Sequence, residues 1–435
     1  MESSEAPSIE LESIEARRDT LFFKISYGEE LDPFLTSGLL YVKYDFPVED
    51  IPVSVLSIPL LGFLAPLGWL TGANIKAGEV NREYLASLTD VANEYRKMYP
   101  GLPFSGRIDA TPLKTACSWD QEKFCVLYSA GVDSTSALIR NLGKHPSALM
   151  VRGSSDLPLQ DQRHWVGLRN SVQNFLKGID VEFHVVETNA VGMVNQEAIR
   201  SHFKGRLGPG WWEGLAFGLF YLSVTSPQTY AEGIGRVVIG SSDTAEQAPW
   251  GSTAKTDEKV RWGEVRVIHD PLDLGRAEKI RKVVLPFASS LEGAIPLKAC
   301  MGSRAAMART DQFNCGECAK CMAAELTLLL TGIDAARFGF DVSPRALTGL
   351  KRNLEEGKFG RTFDEKTWEL IKKEAKSPPE GITAAHPGLQ EFLSWFAGWD
   401  ERPKDNRRFI DRVAPPGSRR RDLARAGFGQ KPEER

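Results

Sequence analysis

Between residues 116 and 299 short apolar runs alternate with longer mixed stretches. Phe124–Tyr128, Ala148–Val151, Val181–Val186 and Val237–Ile239 are aliphatic or aromatic runs of strand length, and the segments between them are long enough for helices. This alternation predicts a parallel sheet with helices on both faces, a doubly wound α/β fold whose ligands sit beyond the carboxyl ends of the strands. A further strand is expected at Val265–His269, and Trp211 and Trp212 open a segment that reads as a core helix. Residues 1–115 read differently. A polar, disordered start leads to strands near Leu21–Ile25 and Leu39–Lys43. A helix then runs from about Arg82 to Met98, with Leu85, Leu88, Val91 and Tyr95 at helical spacing. This is expected as a small α+β domain, serving as plain core or else shaping a substrate entrance or a homodimer contact. Residues 336–435 read as a helical region around Leu350, Trp368, Leu370, Phe392 and Trp395, with a basic tail carrying Arg419, Arg420 and Arg421.

One apolar stretch, residues 51–71, approaches the length of a membrane span. Pro59, Gly62, Pro66 and Gly68 interrupt it and Glu49 and Asp50 precede it, so it is expected as buried core or a partner surface rather than a span. With 435 residues and 42% apolar content the chain can build two or three proper cores. The net charge of -3 argues against broad nucleic-acid binding. The acidic start Met1-Glu2-Ser3-Ser4-Glu5 does not read as a secretory or transit peptide. A cytoplasmic protein without a membrane partner is the expectation.

Candidate chemistry concentrates where the first of the parallel strands ends. The run Val126-Leu127-Tyr128 breaks into Ser129-Ala130-Gly131-Val132-Asp133-Ser134-Thr135 and then a helix. Gly131 is expected to give the turn its backbone freedom, with Asp133 or Ser134 capping a helix that Gly143 ends. Amides at such a turn and the helix dipole favour a bound anion. An ordinary strand-to-helix turn uses the same residues. No lysine follows, so a Walker A loop is excluded.

A second signal is Cys300, Cys315, Cys318 and Cys321, spaced C-x14-C-x2-C-x2-C. Four thiolates so grouped fit a closed tetrahedral zinc site of structural kind. An iron–sulfur cluster is the rival, but Met322-Ala323-Ala324-Glu325 follows where a ferredoxin run has its Cys-Pro. Cys117 and Cys125 lie apart and are expected to be inert buried thiols.

The loop resembles the Ser-Gly-Gly-x-Asp-Ser loop of the PP-loop ATP pyrophosphatases, with Ala130 in place of the first glycine, a change that a negative φ would accommodate. Loop and cysteines together resemble the 7-cyano-7-deazaguanine synthase family over roughly residues 120–330. Arg276-Ala277-Glu278 is similar to a Lys-Ala-Glu segment of PP-loop enzymes. Gln162-Arg163-His164 echoes a Gln-Arg-His of the same family, set back here by residues 153–161. The resemblance implies a PP-loop nucleotide domain at 116–299, a zinc-binding segment at 300–335 and an enzyme that uses ATP and Mg²⁺ to adenylate a small carboxylate. Ammonia or an amine would then take the acyl group. It places Ser129 to Thr135 around ATP and gives Asp133, Arg276 and Lys279 catalytic work, Asp133 by contacting Mg²⁺ or fixing the loop.

For the second substrate the sheet-edge rule points to Ser241, Ser242 and Asp243. Their Gly-Ser-Ser-Asp repeats the one at 153–156, and both follow apolar strands; the plain reading is good turn chemistry. In the polar loop at 244–263, Trp250 is expected to stack on a purine-like ring and Asp257 to accept from ring N–H groups. Two alternatives stay open. One is a tRNA thiolase, which needs a reactive cysteine. The other is a defence-associated relative that modifies a protein or nucleic-acid acceptor, favoured by the flanking regions.

Overall fold

A computed structural model describes residues 6–203, 205–207, 210–241, 249–299, 314–316, 318–356, 365–378 and 380–399. Eleven strands form one sheet. They are β1 (Ser8–Arg17), β2 (Thr20–Tyr27), β3 (Leu39–Lys43), β4 (Asn74–Asn81), β5 (Ile108–Leu113), β6 (Asp120–Leu127), β7 (Ser147–Arg152), β8 (Phe183–Thr188), β9 (Ile234–Gly240), β10 (Arg261–Trp262) and β11 (Val265–Asp270). Their order across the sheet is β10-β11-β9-β6-β7-β8-β3-β2-β1-β4-β5. The pairs β11–β9, β9–β6, β6–β7 and β7–β8 are all parallel. The chain is therefore α/β with a large, mostly parallel sheet, as the alternating pattern predicts.

These five strands run 3-2-1-4-5 in order of appearance, so the chain reverses direction across the sheet between β6 and β9. At such a switch point the connections leave on opposite faces and open a crevice beyond the strand ends. Side chains alternate accordingly. Cys125 and Leu127 of β6, Leu149 and Val151 of β7, and Val237 and Ile239 of β9 point into one large core. On the other face the helix Val132–Asn141 packs against β6 and β9.

The N-terminal segment is not walled off at residue 115. Val42 and Lys43 of β3 pair antiparallel with Thr188 and Glu187 of β8, which extends the parallel sheet through β2, β1, β4 and β5. The start is also more ordered than its polar sequence suggests, since β1 occupies residues 8–17. Its glutamates alternate with Ile9, Leu11 and Ile14 on a strand with a bulge between Leu11 and Ser13, a pattern that leaves one face of the strand in water. Val53–Thr71 is long and apolar enough to cross a membrane, and nearly all of it is buried inside the fold. At Gly62 a Cβ would collide with the Ser223 side chain, so the glycine leaves the room that this side chain of a neighbouring helix fills.

By contacts the chain divides into two compact units, the first reaching Cys315 and including Ile333–Phe340, the second taking Gly316–Gly332 and the residues from Asp341 on. The second unit is helical, with Ala319–Leu330, Pro344–Glu355, Glu365–Glu374, Glu380–Ala385 and Leu389–Gly398. Leu347, Leu350, Trp368, Ile371, Phe392 and Phe396 are among its buried side chains, as the sequence pattern indicates in part, although Leu370 is exposed. The basic tail lies outside the described residues.

Candidate functional site

The loop after β6 stands at the switch point. Its residues bind one another first. Ser129 N–H donates to Ser134 Oγ at 3.2 Å, Gly131 N–H donates to Ser129 Oγ at 3.3 Å, and Ser134 Oγ donates to the Gly131 carbonyl at 3.2 Å. Gly131 is the N-cap, without a side-chain cap, and the helix starts at Val132; neither Asp133 nor Ser134 caps it. The first-turn amides of that helix have no helical acceptor and form a ready anion site.

Backbone freedom is needed at a different residue from the one expected. Gly131 has φ -70° and ψ 161°, ordinary extended values. Ala130 carries the left-handed conformation, φ 57°. The negative φ that would have excused an alanine is therefore absent, and its methyl group sits in a conformation that costs about 1–2 kcal/mol for an L-residue. Two contacts over-determine it: Ala130 is fully buried, and its carbonyl accepts from Lys298 N–H at 2.6 Å. Val132 and Thr135 are also buried, so they offer backbone to the crevice and keep their side chains in the core.

Asp133, Arg276 and Lys279 come together although they are far apart in sequence. Arg276 and Lys279 lie three residues apart on one helix and so share a face. Arg276 Nη2 donates to Asp133 Oδ2 at 2.8 Å and Lys279 Nζ donates to Asp133 Oδ1 at 2.8 Å. Lys279 is fully buried, while Asp133 and Arg276 keep 13% and 27% of their side-chain exposure. Lys279 also donates to the Ser241 carbonyl. Each carboxylate oxygen of Asp133 is thus held by a cation, which suits fixing the loop and does not fit a magnesium ligand. Two cations on one carboxylate leave the cluster net positive beside the anion site. Glu278 closes the first turn of the Arg276 helix by accepting from Gly275 N–H at 3.1 Å.

Two further residues of this site were not singled out in the sequence. A Cβ at Gly240 would lie 2.7 Å from the Asp133 carbonyl carbon and 2.7 Å from Ser134 N, so the end of β9 presses against the loop through bare backbone. Lys298, buried at 6% exposure, brings the chain just before the cysteines alongside the loop. Gly240 had a signal, as the first residue of a repeated Gly-Ser-Ser-Asp; Lys298 had none.

The expected substrate residues fare unevenly. Ser241 is buried and tied down, its N–H donating to the Asp270 carbonyl at 3.0 Å. Ser242 and Asp243 lie outside the described residues. Trp250 is half-buried and meets Phe217 edge-on at 6.0 Å. Asp257 does not face a crevice. A capping box at Thr253 and Thr256 starts a short helix and leaves Asp257 inside, accepting from Ser252 Oγ at 2.5 Å and 3.2 Å from His269 Nε2. Gln162 accepts from Arg152 Nη2 at 2.6 Å. Glu213 lies next to Gly251, whose N–H donates to the Glu213 carbonyl at 2.8 Å. Burial, with the charge of Asp156 nearby, pushes its carboxyl up.

The sulfurs of Cys315, Cys318 and Cys321 lie within 4.8 Å of one another. Cys318 caps the helix Ala319–Leu330, its Sγ accepting from Cys321 N–H at 3.5 Å. Just before them, Asn314 donates to the Leu297 carbonyl and accepts from Ala299 N–H, both at 2.8 Å. Three soft thiol donors on one tight turn fit a thiophilic ion such as zinc. Cys300, the expected fourth ligand, lies outside the described residues. Cys125 is fully buried, and burial pushes its thiol up to about 12.

Comparison with protein-family models gives no match, and comparisons with curated proteins and with solved structures give no significant match.

Proposed function

We propose that the chain is an ATP-dependent ligase of the PP-loop kind, resembling 7-cyano-7-deazaguanine synthase. The observation that carries this reading is the loop at the switch point, with Asp133 gripped by Arg276 and Lys279 and Gly240 pressed against it. ATP lies with its phosphates over the first-turn amides and the hydroxyls of Ser129 and Ser134. Mg²⁺ would accompany the phosphates, and no role in holding it falls to Asp133. A substrate carboxylate oxygen attacks the α-phosphorus, the bond to the β-phosphate oxygen breaks, and pyrophosphate leaves. Arg276, partly exposed, and Lys279 set a positive field at the leaving group, and such fixed charge is commonly the largest catalytic contribution. Ammonia or an amine then attacks the acyl carbon, expels AMP and loses a proton, giving an amide; loss of water from the amide would give a nitrile. In this reading Zn²⁺ is structural, held by Cys315, Cys318, Cys321 and Cys300. ATP, ammonia and 7-carboxy-7-deazaguanine incubated with the protein test it by mass spectrometry, an amide or nitrile product being expected.

A second reading, with a protein or nucleic-acid acceptor on the same loop, draws support from the additional surface of the helical second unit. The thiolase reading needs Cys125 or Cys117: the buried Cys125 thiol is a poor nucleophile at neutral pH, and Cys117, only partly buried where an inert buried thiol was expected, is also pushed up by burial. Cytoplasmic location and a homodimer remain consistent with either of the first two.

A further inference from the structure

A cluster at the opposite end of the sheet is independent of that reading. Glu182 immediately precedes β8, and His184 stands two residues on, so both point to one side. Glu232 ends the helix Ser226–Glu232, just before β9. His184 Nε2 lies 3.5 Å from Glu182 Oε1 and 3.4 Å from Glu232 Oε1, and the three ligand atoms are within 4.8 Å of one another. Yet Nε2 is buried and makes no hydrogen bond to either. Those separations match the spacing of neighbouring ligands on a tetrahedral ion, about 3.4 Å when the metal bonds are about 2.1 Å.

The other ring nitrogen is also arranged. His184 Nδ1 is 3.1 Å from Asp45 Oδ1, and Asp45 Oδ2 accepts from Val185 N–H at 3.2 Å. A carboxylate behind the ring fixes the tautomer that leaves Nε2 as a lone-pair donor, the usual support of a metal-bound histidine. Three carboxylates surround one imidazole, so the group is anionic even with the ring protonated. Lys123, a nearby cation, is directed at the Glu232 backbone carbonyl at 3.0 Å, not at a carboxylate. Phe46 covers the ring edge-on at 6.4 Å. Burial and the neighbouring carboxylates push the Glu232 carboxyl up, while His184 draws it down.

We propose that His184, Glu182 and Glu232 bind a divalent transition cation of the Mn²⁺ or Zn²⁺ class, with Asp45 as the positioning residue behind His184. The ion would tie the start of β8 to the helix before β9, with Asp45, two residues past β3, held behind His184. The full chain, its cysteine cluster already loaded with zinc, is titrated with Mn²⁺, which carboxylates favour and thiolates do not, and free Mn²⁺ is read by electron paramagnetic resonance. One saturable site is expected, lost in His184→Gln and in Glu232→Gln, weakened about 10–100-fold in Asp45→Asn, and kept in Cys318→Ser. Glu182→Gln, at an exposed carboxylate, tests the same ligand set without risk to folding and is expected to weaken binding clearly. Absence of uptake by the wild-type chain, or uptake unchanged in Glu182→Gln and His184→Gln, overturns the proposal.

Discussion

Replacing Asp133 by asparagine removes one charge from the centre of the loop and leaves the volume alone. The perturbation falls on Lys279, whose side chain is fully buried and whose remaining acceptor is the Ser241 carbonyl. Removing one partner of a buried pair costs about 3–5 kcal/mol, because the other charge stays buried without its counterion. Arg276 keeps 27% of its exposure and regains water, so it adds little. Asparagine also keeps one oxygen acceptor, which places the expected loss near the lower figure, about 3 kcal/mol. Lys279→Met leaves Asp133 paired with Arg276 and should lose only about 1–2 kcal/mol. The double variant should be clearly less destabilised than the sum, with a coupling of about 2 kcal/mol. Urea unfolding followed by circular dichroism and tryptophan fluorescence measures all four proteins. Additive single effects, or a loss under about 0.5 kcal/mol in Asp133→Asn, would refute the idea that this pair fixes the loop.

Other outcomes follow from the same geometry. Gly240→Ala should abolish nucleotide binding in calorimetry while the far-ultraviolet spectrum is kept, since its methyl group would strike the Asp133 and Ser134 backbone. Ala130→Gly should retain nucleotide binding and Ala130→Val should lose it, because a β-branched residue is far less tolerant of φ 57°. Cys125, with its thiol pushed up to about 12, should resist iodoacetamide at mildly alkaline pH. Its thiolate vanishes as pH falls below that value, and rapid labelling seen by peptide mass spectrometry would contradict the burial. Cys318→Ser should remove zinc from the purified protein by elemental analysis, and Cys300→Ser should lower its retention against a chelator if Cys300 completes the set.

How much of this was legible in the sequence depends on how local the signal is. The runs at Phe124, Ala148 and Val237 gave β6, β7 and β9, because a strand buried on both faces must be apolar throughout; those at Val181 and Val265 marked β8 and β11, which are only partly buried. β1, β4 and β5 went unread: one side of each is wet, and Lys76, Glu79 and Asp109 dilute the pattern. The joining of the N-terminal strands to the sheet rests on the β3–β8 pairing, a contact between residues about 145 apart, and such register is not written in either segment alone. Arg276 and Lys279 could be named only through the resemblance of Arg276-Ala277-Glu278 to a PP-loop segment, and that both would grip Asp133 needed the fold. Asp257 misled because a short capping box can turn a polar residue inward, and Gly131 misled because the left-handed residue of the turn is its neighbour, Ala130.

Phosphorus NMR of the purified protein with Mg-ATP, ammonia and 7-carboxy-7-deazaguanine tests the central claim most directly. AMP and pyrophosphate that appear only with the deazapurine, and that vanish in Asp133→Asn, are the predicted result. ADP with inorganic phosphate, or ATP that is never bound, would contradict a PP-loop ligase, whereas bound but intact ATP would move the acceptor from this small molecule to a protein or nucleic acid.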